Sequence, residues 1–189
     1  MRNLIKYTIV FSGLILFVIS GLKAQKVIDS DRGDFKKNGG SEFRDAWNAL
    51  KEGDDLFELQ NEGAFKKALD FYEKADNYND DYPPLNYKLG VCYIANYDKE
   101  KALKKLNKAY ETDPMVAPDL LYLIGKIHHL KMNFDKAIEK YEKFLSEFPK
   151  TGDDDYDDMI IKKAQRRIEQ CRNGKKMVNN PERILIENL

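Results

Sequence analysis

The chain has 189 residues, with 32 Lys plus Arg against 32 Asp plus Glu, so no whole-chain attraction to nucleic acid or to an acidic membrane surface is expected. Hydrophobic content of 42% is too high for a disordered chain, and 34% charged residues are too many for a polytopic membrane protein, which leaves one soluble domain of ordinary size. Only Cys92 and Cys171 occur, neither in a C-x-x-C or Cys/His cluster, which excludes a disulfide framework, a zinc ribbon and a dithiol redox motif.

Arg2 and Lys6 precede an uncharged run from Tyr7 to Leu22, and Leu22 and Ala24 are acceptable −3 and −1 residues for cleavage after Ala24. Residues 1–24 therefore read as a secretory signal peptide. A retained membrane anchor is the alternative, but a span needs about 20 apolar residues, and this run has 16. Losing Arg2, Lys6 and Lys23 leaves 29 cationic against 32 acidic side chains, a net of −3. No cysteine follows the run, so lipoprotein-type attachment has no acceptor. Residues 25–40 mix charge with glycine and lack helical periodicity, and are expected to form a flexible leader.

The remainder repeats itself. Gly90 matches Gly125, Tyr93 matches His128, Ala102 matches Ala137, Leu106 matches Tyr141 and Pro114 matches Pro149, every pair 35 residues apart. Gly53, Leu56, Ala68, Tyr72 and Ala75 mark an earlier copy, with a longer turn around residues 60–63. Within a copy, Leu85, Leu89, Cys92 and Tyr93 give one apolar stripe at helical spacing, residues 96–98 make a turn, and Ala102, Leu103, Leu106 and Ala109 give a second stripe. Each copy is thus a helical hairpin with small residues where its helices meet, and the second and third copies have a proline after the second helix. Hairpins of this kind bury both faces only by stacking.

The runs LGVCY and KALKKLNKAYETDP, followed by IGKIH and FDKAIEKYEKFLSEFP, resemble the tetratricopeptide repeat, a 34-residue helix-turn-helix unit, over residues 46–151. The resemblance implies an all-α, right-handed superhelix of three hairpins, spanning residues 41–173 together with a capping helix. Departures from the family pattern are the first unit's missing proline, Phe144 where a small residue is usual, and His128 in an aromatic position. After the third hairpin, Met159, Ile160, Ala164, Ile168 and Cys171 define the capping helix, and Asn173-Gly174 is expected to end it. The aspartates at 153–158 lack the alternating ligands, mid-loop glycine and closing glutamate of a calcium loop. Three helices separate Cys92 from Cys171, which places them beyond the roughly 7 Å reach of a disulfide and predicts two free thiols.

Residues 174–189 read as a C-terminal extension in which Ile184, Leu185 and Ile186 form a β-prone stretch, either the start of a following β domain or a strand that pairs with another molecule. The end of the chain from residue 164, through its C-x-N-G-K segment and N-P-x-x-I-x-I-x-N-L run, resembles the junction in envelope proteins of Gram-negative bacteria where such repeats lead into a β-propeller and an OmpA-like domain, some linked to type IX secretion. Peptidoglycan would then be reached only through such further domains.

Little in the chain suggests catalysis. His128 and His129 are adjacent on one helix and point about 100° apart, and the nucleophile, phosphate-loop, zincin and dinucleotide motifs do not occur. No enzyme activity, metal or cofactor is expected. The family's groove positions fall on Trp47, Leu50, Asp54 and Phe57 in the first unit, Pro84, Tyr87, Val91 and Ile94 in the second, and Asp119, Tyr122, Lys126 and His129 in the third. That face is aromatic and apolar with few charges, and reads as a concave seat for a partner protein or peptide. The alternative is that some of these residues, Trp47 and Phe57 above all, pack under the leader or a neighbouring helix. Some members of the family grip a C-terminal carboxylate on this face, but of the corresponding positions only Lys126 suits it, and no basic stripe suits nucleic acid. The resulting expectation is an exported, periplasmic or outer-membrane-associated scaffold for other envelope proteins. A passive spacer and a cell-wall sugar-binding accessory factor are the competing readings.

Overall fold

A computed structural model describes residues 28–179; the expected signal peptide, residues 1–24, and the β-prone stretch at 184–186 lie outside the described residues. Within them the protein is all-α, with eight helices and no strand. A short α1 (Arg32–Phe35) precedes three hairpins, α2/α3 (Ser41–Phe57, Glu62–Tyr78), α4/α5 (Pro83–Ala95, Lys99–Thr112) and α6/α7 (Leu120–Leu130, Phe134–Glu147), and α8 (Asp154–Asn179) caps the stack.

Sequence chemistry sets these boundaries. Asn61 and Asp98 accept the backbone N–H of Ala64 and Lys101, capping α3 and α5. Pro83 and Pro84 open α4, where a missing N–H costs nothing. Each hairpin turn places one ordinary residue in the left-handed region, Gln60 (φ 50°), Tyr97 (φ 60°) and Met132 (φ 56°), and the second and third turns close alike, with Asp98 N–H donating to the Tyr93 carbonyl and Asn133 N–H to that of His128. The glycine ladder is a ladder of close approach. A Cβ on Gly53 would lie 2.5 Å from the Tyr72 ring and one on Gly125 would lie 2.9 Å from Tyr141, while one on Gly90 would collide with Leu106. Ala102 and Ala137 are fully buried opposite this ladder.

Two corrections to the sequence reading follow. The leader is packed over its described part. Phe35 is completely buried, with its ring centroid 5.4 Å from those of both Tyr78 and Tyr82 and 6.0 Å from that of Trp47. Asn79 donates to the Phe35 carbonyl at 2.9 Å, Tyr78 donates to the Asn38 carbonyl, and Lys37 pairs with Asp81 at 2.8 Å. Phe35, in an aromatic pocket from α2 and the α3–α4 junction, anchors the segment, and Ile28 packs against the same core. Second, α8 continues past Gly174 to Asn179. Gly174 lies against the Phe134 ring, 2.7 Å from where a Cβ would stand, so it serves close packing rather than helix termination.

Cys92 and Cys171 are free and buried, and burial pushes the Cys92 thiol up to about 12. No helix among the described residues is long and apolar enough to cross a membrane.

Candidate protein-binding face

The structure divides the predicted groove residues into struts and surface. Leu50 and Tyr87 are completely buried, and Phe57 and Tyr122 nearly so. Phe57 stacks on Phe65 (centroids 5.0 Å) and Tyr72, while Tyr122 stacks on Tyr141 (5.5 Å) and Phe144 (5.8 Å). Trp47 is half-buried against Phe35. These side chains therefore pack the repeats and the leader together instead of presenting themselves to a partner. Phe57 and Tyr122 lie against the second helix of their own hairpin. Tyr87 spans the gap to the next hairpin, donating from its hydroxyl to Asp119 Oδ1 at the start of α6, 2.8 Å away. Asp119 is itself buried, and burial raises its carboxyl above the usual range despite the tyrosine hydrogen bond.

Asp54 is likewise internal. Its Oδ1 accepts from Lys88 Nζ at 2.7 Å and from the Tyr72 hydroxyl at 2.9 Å, and Lys88 also reaches Ser30 Oγ at 2.9 Å. This network joins the first hairpin, the second hairpin and the leader. Burial pulls the Lys88 ammonium below its usual range, and Asp54 opposes the shift. The sequence reading missed Lys88, although a lone lysine inside the apolar run of α4 was the available signal.

What remains accessible is half-buried: Pro84, Val91, Ile94, Lys126 and His129. Val91 and Lys126 hold equivalent positions on α4 and α6, as do Ile94 and His129, so an apolar strip runs beside a polar one that carries the Lys126 ammonium. Helix α8 lies beside that polar strip. Leu121 and Tyr122 of α6 share a core with Ile160, Ala164, Ile168 and Cys171 of α8, which places Lys163, Arg167 and Gln170 on the adjoining turns of α8. Burial lowers the Lys126 ammonium, and repulsion from Arg167 and Lys163 adds to the shift. His129 is lowered by burial and then by Arg167, and its ring packs 5.9 Å from Phe134. Arg167 donates to Gln170 Oε1 at 2.9 Å. Sequence reasoning picked out Lys126 and His129 but not Arg167, which belongs to the capping helix. Among the described residues, no group of three or more His, Cys, Asp or Glu could hold a metal ion.

Residues 86–114 and 119–151 match the sequence profile of the tetratricopeptide repeat. Both segments are tetratricopeptide repeats. They coincide with the second and third hairpins, and the first hairpin repeats their glycine, alanine and turn positions. A stretch of 88 residues, 46% of the chain, is 36% identical to the BBSome complex member BBS4 of Bos taurus and 35% identical to that of Mus musculus. The chain spans 16% of the length of these relatives. Among solved structures, the tetratricopeptide-repeat domain of Sgt2 from Aspergillus fumigatus superposes with a TM-score of 0.52 at 17% identity, covering 76% of this chain and 87% of that one. The MamA protein superposes at 0.50 with 20% identity, covering 75% and 79%. At these identities the likeness is one of fold, a superhelical stack of helical hairpins; the tetratricopeptide repeats at residues 86–114 and 119–151 are what indicate a scaffold for protein–protein interaction.

Proposed function

We propose that this protein is an exported scaffold of a bacterial envelope that holds a partner protein against the concave face between α4, α6 and α8. The observation that carries the reading is the strip of Val91, Ile94, Lys126 and His129, which stays half-exposed while Leu50, Asp54, Phe57, Tyr87, Asp119 and Tyr122 are buried in packing. Apolar side chains bordered by charge are the composition of a recognition patch. The export pattern of residues 1–24 supports an envelope location, and the resemblance of the chain's end to envelope proteins supports a role in an outer-membrane or peptidoglycan-associated assembly. The matched relatives are named as members of a complex, in keeping with a scaffold.

Site-specific photocrosslinking in intact cells tests this. A photoreactive residue at Val91 or Ile94 is expected to give discrete adducts with another envelope protein, whereas the same residue at Lys104, exposed on α5, gives none. Equal labelling at both sites, or none at either, would support the passive spacer instead. Fractionation of cells expressing the full chain tests the location, and recovery with the cytoplasm would refute it.

A further inference from the structure

Cations that lose water in this protein are matched by carboxylates, with one local exception. Lys88, Lys105, Lys108, Lys131, Lys140 and Lys143 are buried or half-buried, and each sits in an ion pair. Among the described residues, the other cationic side chains that are not fully exposed are Lys126 and Arg167, and no ion pair includes either. They face one another across the groove between α6 and α8. Lys163, also without a carboxylate partner, stands one turn before Arg167, and the nearby Asp119 is committed to Tyr87. Partial burial of like charges side by side is unfavourable. Two half-desolvated cations therefore stand together with no ion pair of their own, Asp119 offsetting the Lys126 charge only in part, where a typical surface would neutralise or disperse them.

We propose that Lys126 and Arg167, with Lys163 at the rim, form an anion-binding site for the side-chain carboxylates of an acidic stretch within the partner protein. The inference rests on the scaffold reading and deepens it by naming the partner's chemistry. The apolar strip of Val91 and Ile94 beside the cations seats the hydrophobic residues that alternate with those carboxylates. A long polyanion such as nucleic acid does not suit the site, because Asp119 acts on Lys126 and Asp154, Asp155 and Asp157 open the helix that carries Arg167. The attractive field is thus short, and fits a few carboxylates.

Fluorescence anisotropy with the full chain tests the site, using a short labelled peptide of alternating Glu and Phe with both ends blocked. Binding is expected to weaken as salt is raised, and to fall about tenfold or more in each of Lys126→Gln and Arg167→Gln. Lys104→Gln should be unchanged, with helical circular dichroism retained in every variant. A peptide with Gln for Glu should not bind. The proposal is overturned if the Gln peptide binds equally, if both groove variants bind as wild type, if binding requires a free C-terminal carboxylate, or if single-stranded DNA displaces the peptide at lower concentration. Absence of peptide binding in the presence of Val91 crosslinks would remove the acidic partner and leave the scaffold standing; loss of the crosslinks too would remove both.

Discussion

Replacing Lys88 with Met keeps the length and apolar stem of the side chain but deletes the charge that holds Asp54. The Asp54 and Lys88 side chains are only 9% and 4% exposed, so water cannot replace the lost partner. Asp54 would keep the Tyr72 hydroxyl at 2.9 Å and lose the ammonium at 2.7 Å, and Ser30 would lose its contact with Lys88. Breaking one side of a buried pair costs about 3–5 kcal/mol, because the remaining charge stays desolvated. For a domain of this size that corresponds to a fall in Tm on the order of 10 °C. Urea unfolding followed by circular dichroism measures the loss, and the double variant Asp54→Asn with Lys88→Met discriminates its cause. Removing both charges should recover a large part of the stability, since the penalty lies in the stranded carboxylate rather than in the missing attraction. A loss below about 1 kcal/mol for Lys88→Met, or a double variant no more stable than the single one, would refute the reasoning that this pair is a buried, mutually dependent unit.

Phe35→Ala should release the leader while leaving the repeats folded: a large buried aromatic is worth about 3–5 kcal/mol, and trypsin is expected to cut at Arg32, Lys36 or Lys37 with the helical signal unchanged. Tyr87→Phe removes a hydrogen bond to a buried carboxylate and should lower unfolding stability by about 1.5–3 kcal/mol. Tyr141→Phe should show no loss, because the Tyr141 hydroxyl is buried with no hydrogen-bond partner among the described residues. The pH dependence of Asp119 has a definite sign. Its carboxyl is raised above 3.8 by burial, so it favours folding when protonated, fully below the unfolded value, and that contribution disappears as pH climbs through the folded one. The urea midpoint of wild type minus that of Asp119→Asn should therefore fall as pH rises above 3.8, and a difference that stays constant as pH rises would show that Asp119 is not held in this environment.

The repeat phase was legible because it records a steric requirement. Gly53, Gly90 and Gly125 recur at one place in each unit since a Cβ there meets Tyr72, Leu106 or Tyr141, and that contact is local to one hairpin. The exposure of the groove aromatics was not legible, because it depends on what the next element supplies. Tyr87 is internal because Asp119 lies opposite it, and Tyr122 because α8 closes over its neighbours. The leader escaped for a different reason: a four-residue helix has no periodicity to detect, and Phe35 is anchored by rings drawn from α2 and from the junction of α3 and α4.

These misses concern the same face. The first half of the expected groove is spent on folding, since the leader covers Trp47 and contributes Ser30 to the Asp54–Lys88 network, while Leu50 and Phe57 are buried in hairpin packing. Specificity in a scaffold of this kind comes from groups whose own chain leaves them unsatisfied, because only those gain more from a partner than from water or from a neighbour. By that criterion an aromatic inventory points at the wrong side chains. Tyr87 and Tyr122 are spent on internal packing, whereas Lys126 and Arg167, from a repeat helix and a capping helix that no single motif joins, are half-desolvated and sit in no ion pair.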